Sequence, residues 1–131
     1  MMRGFNHVSL RGQVIEEPEN IPSKSGFPIT RALISVLESK KDWQGEVTET
    51  ETVVPVYFYG GTAEAFLRAV QPDDWVLVDA RLRLNGADYD EEPQIRVVGL
   101  SFSNISHAGS GEYQPSRVRR YADAGPRAYR N

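Results

Sequence analysis

The chain has 131 residues, 40% of them hydrophobic and 25% charged, with a formal net charge of -3 and no cysteine. That length suits one domain with a real core, and the absence of thiols excludes a disulfide scaffold, thiolate zinc sites and a cysteine nucleophile. The opening "MMRGFNHVSLRG" has no uninterrupted apolar run, and no segment approaches the roughly 20 apolar residues of a membrane span; a soluble, cytoplasmic protein with no membrane partner is expected.

Taken in chain order, the residues alternate apolar and polar in blocks separated by turn-formers, so a period of two dominates and mostly β structure is expected. Asn6 to Val14 is the first strand, with Val8, Leu10 and Val14 on one face. Glu16 to Pro28, rich in Pro, Gly and Ser, reads as a long loop, and Ile29 to Leu37 as the second strand. Glu38 to Glu51 is a charged connection whose Trp43-Gln44-Gly45 segment looks like the tip of a protruding hairpin.

The third strand, Thr52 to Tyr59, puts Val53, Pro55, Tyr57 and Tyr59 on one face and Val54, Val56 and Phe58 on the other. Pro55 cannot donate to a ladder, so an edge or bulge position is expected. Gly60-Gly61 breaks the strand. Thr62 is the expected N-cap of a helix running to about Val70, with Glu64 in its first turn and Ala63, Phe66, Leu67 and Val70 as its apolar stripe. After a Pro72-Asp73 turn come the fourth strand, Trp75 to Leu84, a loop from Asn85 to Pro93, and the fifth strand, Gln94 to Ile105. Three strands, one helix and two strands is the order of an OB-fold, the five-stranded barrel whose helix plugs one end.

Charge divides the chain. Residues 1–106 hold 10 Lys and Arg against 16 Asp and Glu, whereas residues 107–131 hold 5 Arg against 2 acids. The first part reads as the folded domain; the second is an Arg/Tyr/Gly-rich tail without apolar period, expected to be disordered when free. Because phosphate binding is driven by Lys and Arg displacing counterions, an acidic barrel has to concentrate its positive charge locally.

Four ordered pieces resemble the bacterial single-stranded DNA-binding protein family and its relative, primosomal replication protein N: "RGFNHVSLRG" (Arg3 to Gly12), "SGFPITRALISV" (Ser25 to Val36), "TETVVPVYFYG" (Thr50 to Gly60) and "VLVDARLRL" (Val76 to Leu84). The resemblance implies an OB-fold, base stacking and phosphate contacts on single-stranded DNA, and assembly into homodimers or homotetramers. It matches the family's aromatic at the end of the third strand to Tyr59, its fourth-strand arginine to Arg83 and its N-terminal basic residue to Arg3. The family's tryptophan at the start of the third strand corresponds to Thr52 or Val53, and the one after the fourth strand falls near Ala87 to Tyr89. The given sequence closes on "RAYRN", and against the resemblance an Arg/Tyr tail is expected in place of the family's acidic, Phe-terminated tip.

Single strands are held by aromatic faces that stack on bases and by a basic groove that tracks the backbone. Trp43, Tyr57 and Tyr59 are the candidate platforms, and Arg3, Arg31, Lys40, Lys41, Arg81, Arg83 and Arg96 the candidate phosphate contacts; Arg117, Arg119, Arg120 and Tyr121 extend both kinds into the tail. Each has a plainer alternative. Tyr59 and Tyr57 can be ordinary half-buried strand tyrosines, Trp43 a lid over the core, and Arg81 with Arg83 a solvated face. Trp75 reads as core or subunit interface. His7 and His107 lack a third ligand and a nucleophile partner, and Asp88, Asp90, Glu91 and Glu92 lack the spacing of a calcium loop. No metal, cofactor or catalytic constellation is expected. The leading expectation is a non-enzymatic single-strand binder in replication, recombination or repair, associated with the nucleoid. The alternative is an OB-fold adaptor that mainly contacts other replication or recombination proteins.

Overall fold

The computed structural model describes residues 1–85 and 93–106. Strands β1 (Val8–Val14) and β2 (Glu19–Asn20) are followed by β3 (Ile29–Lys41) and β4 (Val47–Tyr59), then by helix α1 (Gly60–Ala69), β5 (Trp75–Asn85) and β6 (Gln94–Asn104). Neighbouring strands run in the order β1-β5-β6-β4-β3-β2, and an additional β1–β3 pairing closes the sheet on itself. Five long strands with the helix between the third and fourth of them form the expected OB barrel; β2 is a short addition on β3, within the segment that reads as a loop.

Closure depends on one glycine. β1 pairs with β5 from Val8 to Gln13 and with β3 only at Gln13 and Val14. At the switch, a Cβ on Gly12 would run into the Ser35 carbonyl oxygen and the Ile34 side chain, so only glycine lets β1 approach β3 closely enough. From Val8 to Gly12 the second side of β1 has no strand partner among the described residues.

The inward parity of each strand makes the core: Val14 from β1, Ala32 and Ile34 from β3, Val56 and Phe58 from β4, and Val76, Val78 and Ala80 from β5 are all buried. Helix α1 inserts Ala63 and Phe66, and Val70 at its C-cap is buried beside them. Phe66 stacks on Phe58 with ring centroids 4.2 Å apart and meets the edge of Phe102 at 5.0 Å. In β6, Asp79 pairs with Ser101 but Ala80 with Gly99, leaving Leu100 as the extra residue of a bulge. A Cβ on Gly99 would enter the Phe58 ring; the bulge and the glycine together seat that ring.

Several boundaries differ from the expected ones. The helix begins at Gly60, two residues before Thr62, because the chain turns through a left-handed Gly60 (φ 65°) under the Phe27 ring and not through a hydroxyl cap. No acidic residue lies in its first turn, so Glu64 is not a dipole partner, and Leu67 is 41% exposed, off the buried stripe. The second and third expected strands extend outward by several residues each, to Lys41 and from Val47, as one 13-residue antiparallel pair. β1 starts at Val8, since Asn6 substitutes side chain for backbone: its amide donates to the Leu82 carbonyl and accepts from the Leu82 N–H. Pro55 lies where expected, one residue before the short stretch (Val56, Tyr57) in which β4 gains β6 as a parallel second neighbour. The Pro72-Asp73 turn has the Asp74 N–H bonded to the Gln71 carbonyl and Asp73 at φ 81°, the positive φ that the third residue of a type II turn requires.

Candidate nucleic-acid interface

β4 sends Val56 and Phe58 inward, so Tyr57 and Tyr59 point to the outer face of the barrel, both half-buried. Cross-strand register fixes their neighbours. Arg31 pairs with Tyr57, Tyr57 with Val98, and Val98 with Arg81. One outer row therefore reads Arg31, Tyr57, Val98, Arg81 across four adjacent strands. One step along, Arg83 pairs directly with Arg96. The structure thus collects Arg31, Tyr57, Tyr59, Arg81, Arg83 and Arg96 on one outer face, although the sequence scatters them over four strands.

The electrostatics of this face are uneven. Arg31 forms an ion pair with Glu19 at 3.2 Å, a partly exposed contact of the kind worth at most about 1 kcal/mol. Arg83 and Arg96 are like charges directly opposite one another, an arrangement that destabilises a bare sheet. Neither Arg81 nor Arg83 has an ion-pair partner among the described residues, and the Arg81 Nε is buried without a hydrogen-bond acceptor. Arg96 lies over the Tyr57 ring, its guanidinium carbon 4.2 Å from the centroid. The Tyr59 ring has no aromatic or cationic neighbour among the described residues. Asp79, which also faces outward, is engaged by His7 at 3.4 Å. One ring already carries a guanidinium and the other has no such neighbour among the described residues, and three arginines share their face; that surface can take a planar group and an anion side by side.

Not every expected residue joins it. Lys40, Lys41 and Trp43 belong to the outer end of the β3–β4 hairpin; Lys41 alone is ten residues beyond Arg31, or about 33 Å along an extended strand. There Asp42 Oδ1 accepts the N–H groups of Gln44 and Glu46, the Gly45 N–H bonds the Asp42 carbonyl, and Trp43 is 91% exposed. The lid alternative is thereby excluded within the chain: Trp43 covers none of its core. Arg3 lies in the exposed N-terminal segment, three residues ahead of the Asn6 clasp on Leu82, which puts it towards the β5 end that carries Arg83. Trp75 is half-buried and its indole N–H has no acceptor among the described residues; it is not in the core cluster. Arg117, Arg119, Arg120, Tyr121, His107 and the acids at 88–92 lie outside the described residues.

Two features escaped sequence reasoning. The Arg96–Tyr57 contact joins residues far apart in the chain, through a parallel pairing that no local pattern announces. Leu82 and Leu84 sit on the inward parity of β5 yet are 44% and 61% exposed, with Ile95 opposite Leu84 at 65%, because the β5–β6 hairpin continues past the end of the core. A cleft of about 380 Å³ between α1 and the segment from Asn20 to Thr30, lined by Ile21, Phe27 and Leu67, contains none of the outer-face residues. Among the described residues no group of three or more His, Cys, Asp or Glu could hold a metal, and no helix is long and apolar enough to cross a membrane.

Comparison with known proteins agrees with this architecture. The Single-strand binding protein family profile matches residues 5–107. The single-stranded DNA-binding proteins of Xanthomonas campestris pv. campestris and Xanthomonas axonopodis pv. citri are each 26% identical over 114 residues, covering 85% of this chain and 66% and 63% of theirs. A crystal structure of a deletion mutant of the single-stranded DNA binding protein from Thermus aquaticus superposes with a TM-score of 0.72 at 21% identity, covering 83% of this chain and 54% of that one; the wild-type protein gives 0.70 at 20%. The chain thus spans less than two thirds of the length of these relatives. With a profile match over most of its length and the same barrel, the chain belongs to the single-strand binding protein family.

Proposed function

We propose that this protein binds single-stranded DNA without sequence readout, and acts by binding alone. The observation that carries the reading is the outer face of β4, β5 and β6, where Tyr57 and Tyr59 share a face with Arg81, Arg83 and Arg96 and Arg96 lies over the Tyr57 ring. Aromatic faces accept any base, and guanidinium groups follow the phosphates, which is the chemistry of sequence-tolerant single-strand binding. Related proteins of the family carry single-stranded DNA binding in their names, which supports the same reading. Arg3, Arg31, Lys40, Lys41, Trp43, Tyr57, Tyr59, Arg81, Arg83 and Arg96 are the proposed contacts.

Residues 1–106 are the binding barrel, and residues 107–131 a separate basic tail whose Arg117, Arg119, Arg120 and Tyr121 add phosphate contacts and stacking. The open side of β1 from Val8 to Gly12 favours pairing with a second chain, as exposed edges do; a homodimer or homotetramer is expected in light scattering, and a monomer at micromolar concentration speaks against it. The setting is replication, recombination or repair at the nucleoid, in the cytoplasm. The net negative charge of residues 1–106 favours a second reading, an adaptor that chiefly contacts other replication or recombination proteins. Titration of labelled oligo-dT and of a duplex of equal length, at two salt concentrations, separates the two. Salt-sensitive binding that prefers oligo-dT supports the first, and no binding to either supports the adaptor.

A further inference from the structure

The two outward tyrosines of β4 are two residues apart on one face, yet their surroundings differ. Arg96 lies on Tyr57 at 4.2 Å, whereas the Tyr59 ring has no aromatic or cationic neighbour among the described residues. Arg96 is held there against a like charge, since Arg83 is its direct partner across β5 and β6. Arg81 lies two residues before Arg83 on the same face, its Nε buried and without an acceptor among the described residues. A ring that takes a guanidinium on its π-face attracts it through the ring quadrupole and fixes its plane. A base cannot stack on that same ring face while Arg96 occupies it.

We infer that Tyr57 is a positioning residue for a phosphate clamp formed by Arg81, Arg83 and Arg96, and that base stacking on the barrel falls to Tyr59. The inference rests on the single-strand reading above and divides its site into two halves. On the β5–β6 side, Arg81, Arg83 and Arg96 share one face and together address one phosphate, whose oxygens suit planar guanidinium forks. On the β4–β3 side, the half-exposed Tyr59 ring, whose strand partner is Ile29, accepts a base. Tyr57 sits at the junction, and its part in the interface is to hold Arg96 in the clamp rather than to stack on a base.

The test uses the full chain and two labelled probes of equal length, oligo-dT and an oligomer of abasic tetrahydrofuran residues, titrated over a range of salt. Tyr57→Leu should weaken both probes by the same factor, about tenfold for the removal of one charge-assisted hydrogen bond, and should lower the slope of log affinity against log salt by about 0.7. Arg96→Ala should do the same, and the double variant should be no weaker than Arg96→Ala alone. Tyr57→Phe, which keeps the ring face, should restore wild-type behaviour on both probes. Tyr59→Ala should weaken oligo-dT and leave the abasic probe unchanged. Tyr57→Leu acting on oligo-dT alone with an unaltered salt slope would overturn the inference, because it would make Tyr57 a stacking platform. Should Tyr57→Leu not fold, Arg96→Ala decides the matter: an unchanged salt slope overturns the clamp. A wild-type chain that binds neither probe is a separate failure, that of the single-strand reading itself, and takes the inference with it.

Discussion

The two faces of β4 differ in how fully their side chains are satisfied. On the inner face, Val56 and Phe58 are completely buried, and the Phe58 ring finds Phe66 and Phe102 within the same chain. On the outer face, Tyr57 and Tyr59 are half-buried, one covered by an arginine and the other without a ring partner among the described residues. One β-strand with a period of two thus separates stability from the proposed binding at the level of neighbouring residues. Inner contacts are complete without a ligand; the outer face sets Arg83 opposite Arg96 and carries the proposed DNA contacts. Substitutions at adjacent positions should therefore have effects of different kinds.

The largest expected effect is on the inner face. Phe66→Ala removes the ring that plugs the barrel between Phe58 and Phe102, and should cost about 3 to 5 kcal/mol of unfolding free energy, read as a fall in denaturant midpoint. DNA affinity of the folded fraction should change little; a large loss of affinity with unchanged stability would erase the contrast between the faces. Next comes Gly99→Ala, whose new methyl group meets the Phe58 ring and should cost about 1 to 3 kcal/mol of stability.

Tyr59→Ala should show the opposite pattern. Binding to oligo-dT should weaken by about 1 to 3 kcal/mol, the usual range for one aromatic base contact, with the melting temperature unaltered. Equal affinity in the variant would return Tyr59 to the class of ordinary strand tyrosines. A smaller change is expected on deleting residues 107–131, which should leave a folded, oligomeric barrel of lower affinity and shallower salt dependence, by about 0.7 in slope for each phosphate that the tail no longer neutralises. Tighter binding after deletion would mean that the tail covers the outer face. The smallest effect should come from Glu19→Ala, which frees Arg31 from its ion pair and should strengthen binding by no more than about 1 kcal/mol.

How much of this was legible depended on whether the controlling interaction was local. The parity of β4 and the plugging helix could be read directly, because alternation and an apolar stripe are written in consecutive residues. Gly60-Gly61 marked the strand end, but the helix start at Gly60 depended on the Phe27 ring from a distant loop. The outer halves of β3 and β4 looked like a loop: Glu38 to Lys41 and Val47 to Thr50 are exposed on both parities, so no apolar alternation marks them, and only their pairing makes them strands. Leu82 and Leu84 misled in the reverse direction, since apolar alternation continues along β5 after the core has ended. Within the site, the residue types and the shared face of Tyr57 with Tyr59, and of Arg81 with Arg83, followed from alternation. The convergence of Arg96 on Tyr57 and Arg83 did not, because it depends on β6 lying between β5 and β4.

The central claim, that the outer face of β4 to β6 is where a single strand lies, is tested most directly by a chemical-shift footprint of the full chain on addition of oligo-dT. The expected result is a contiguous set of perturbed signals at Arg31, Tyr57, Tyr59, Arg81, Arg83 and Arg96, with Ile21, Phe27 and Leu67 in the cleft beside α1 unmoved. Perturbation centred on that cleft, with the outer arginines and tyrosines silent, would contradict it.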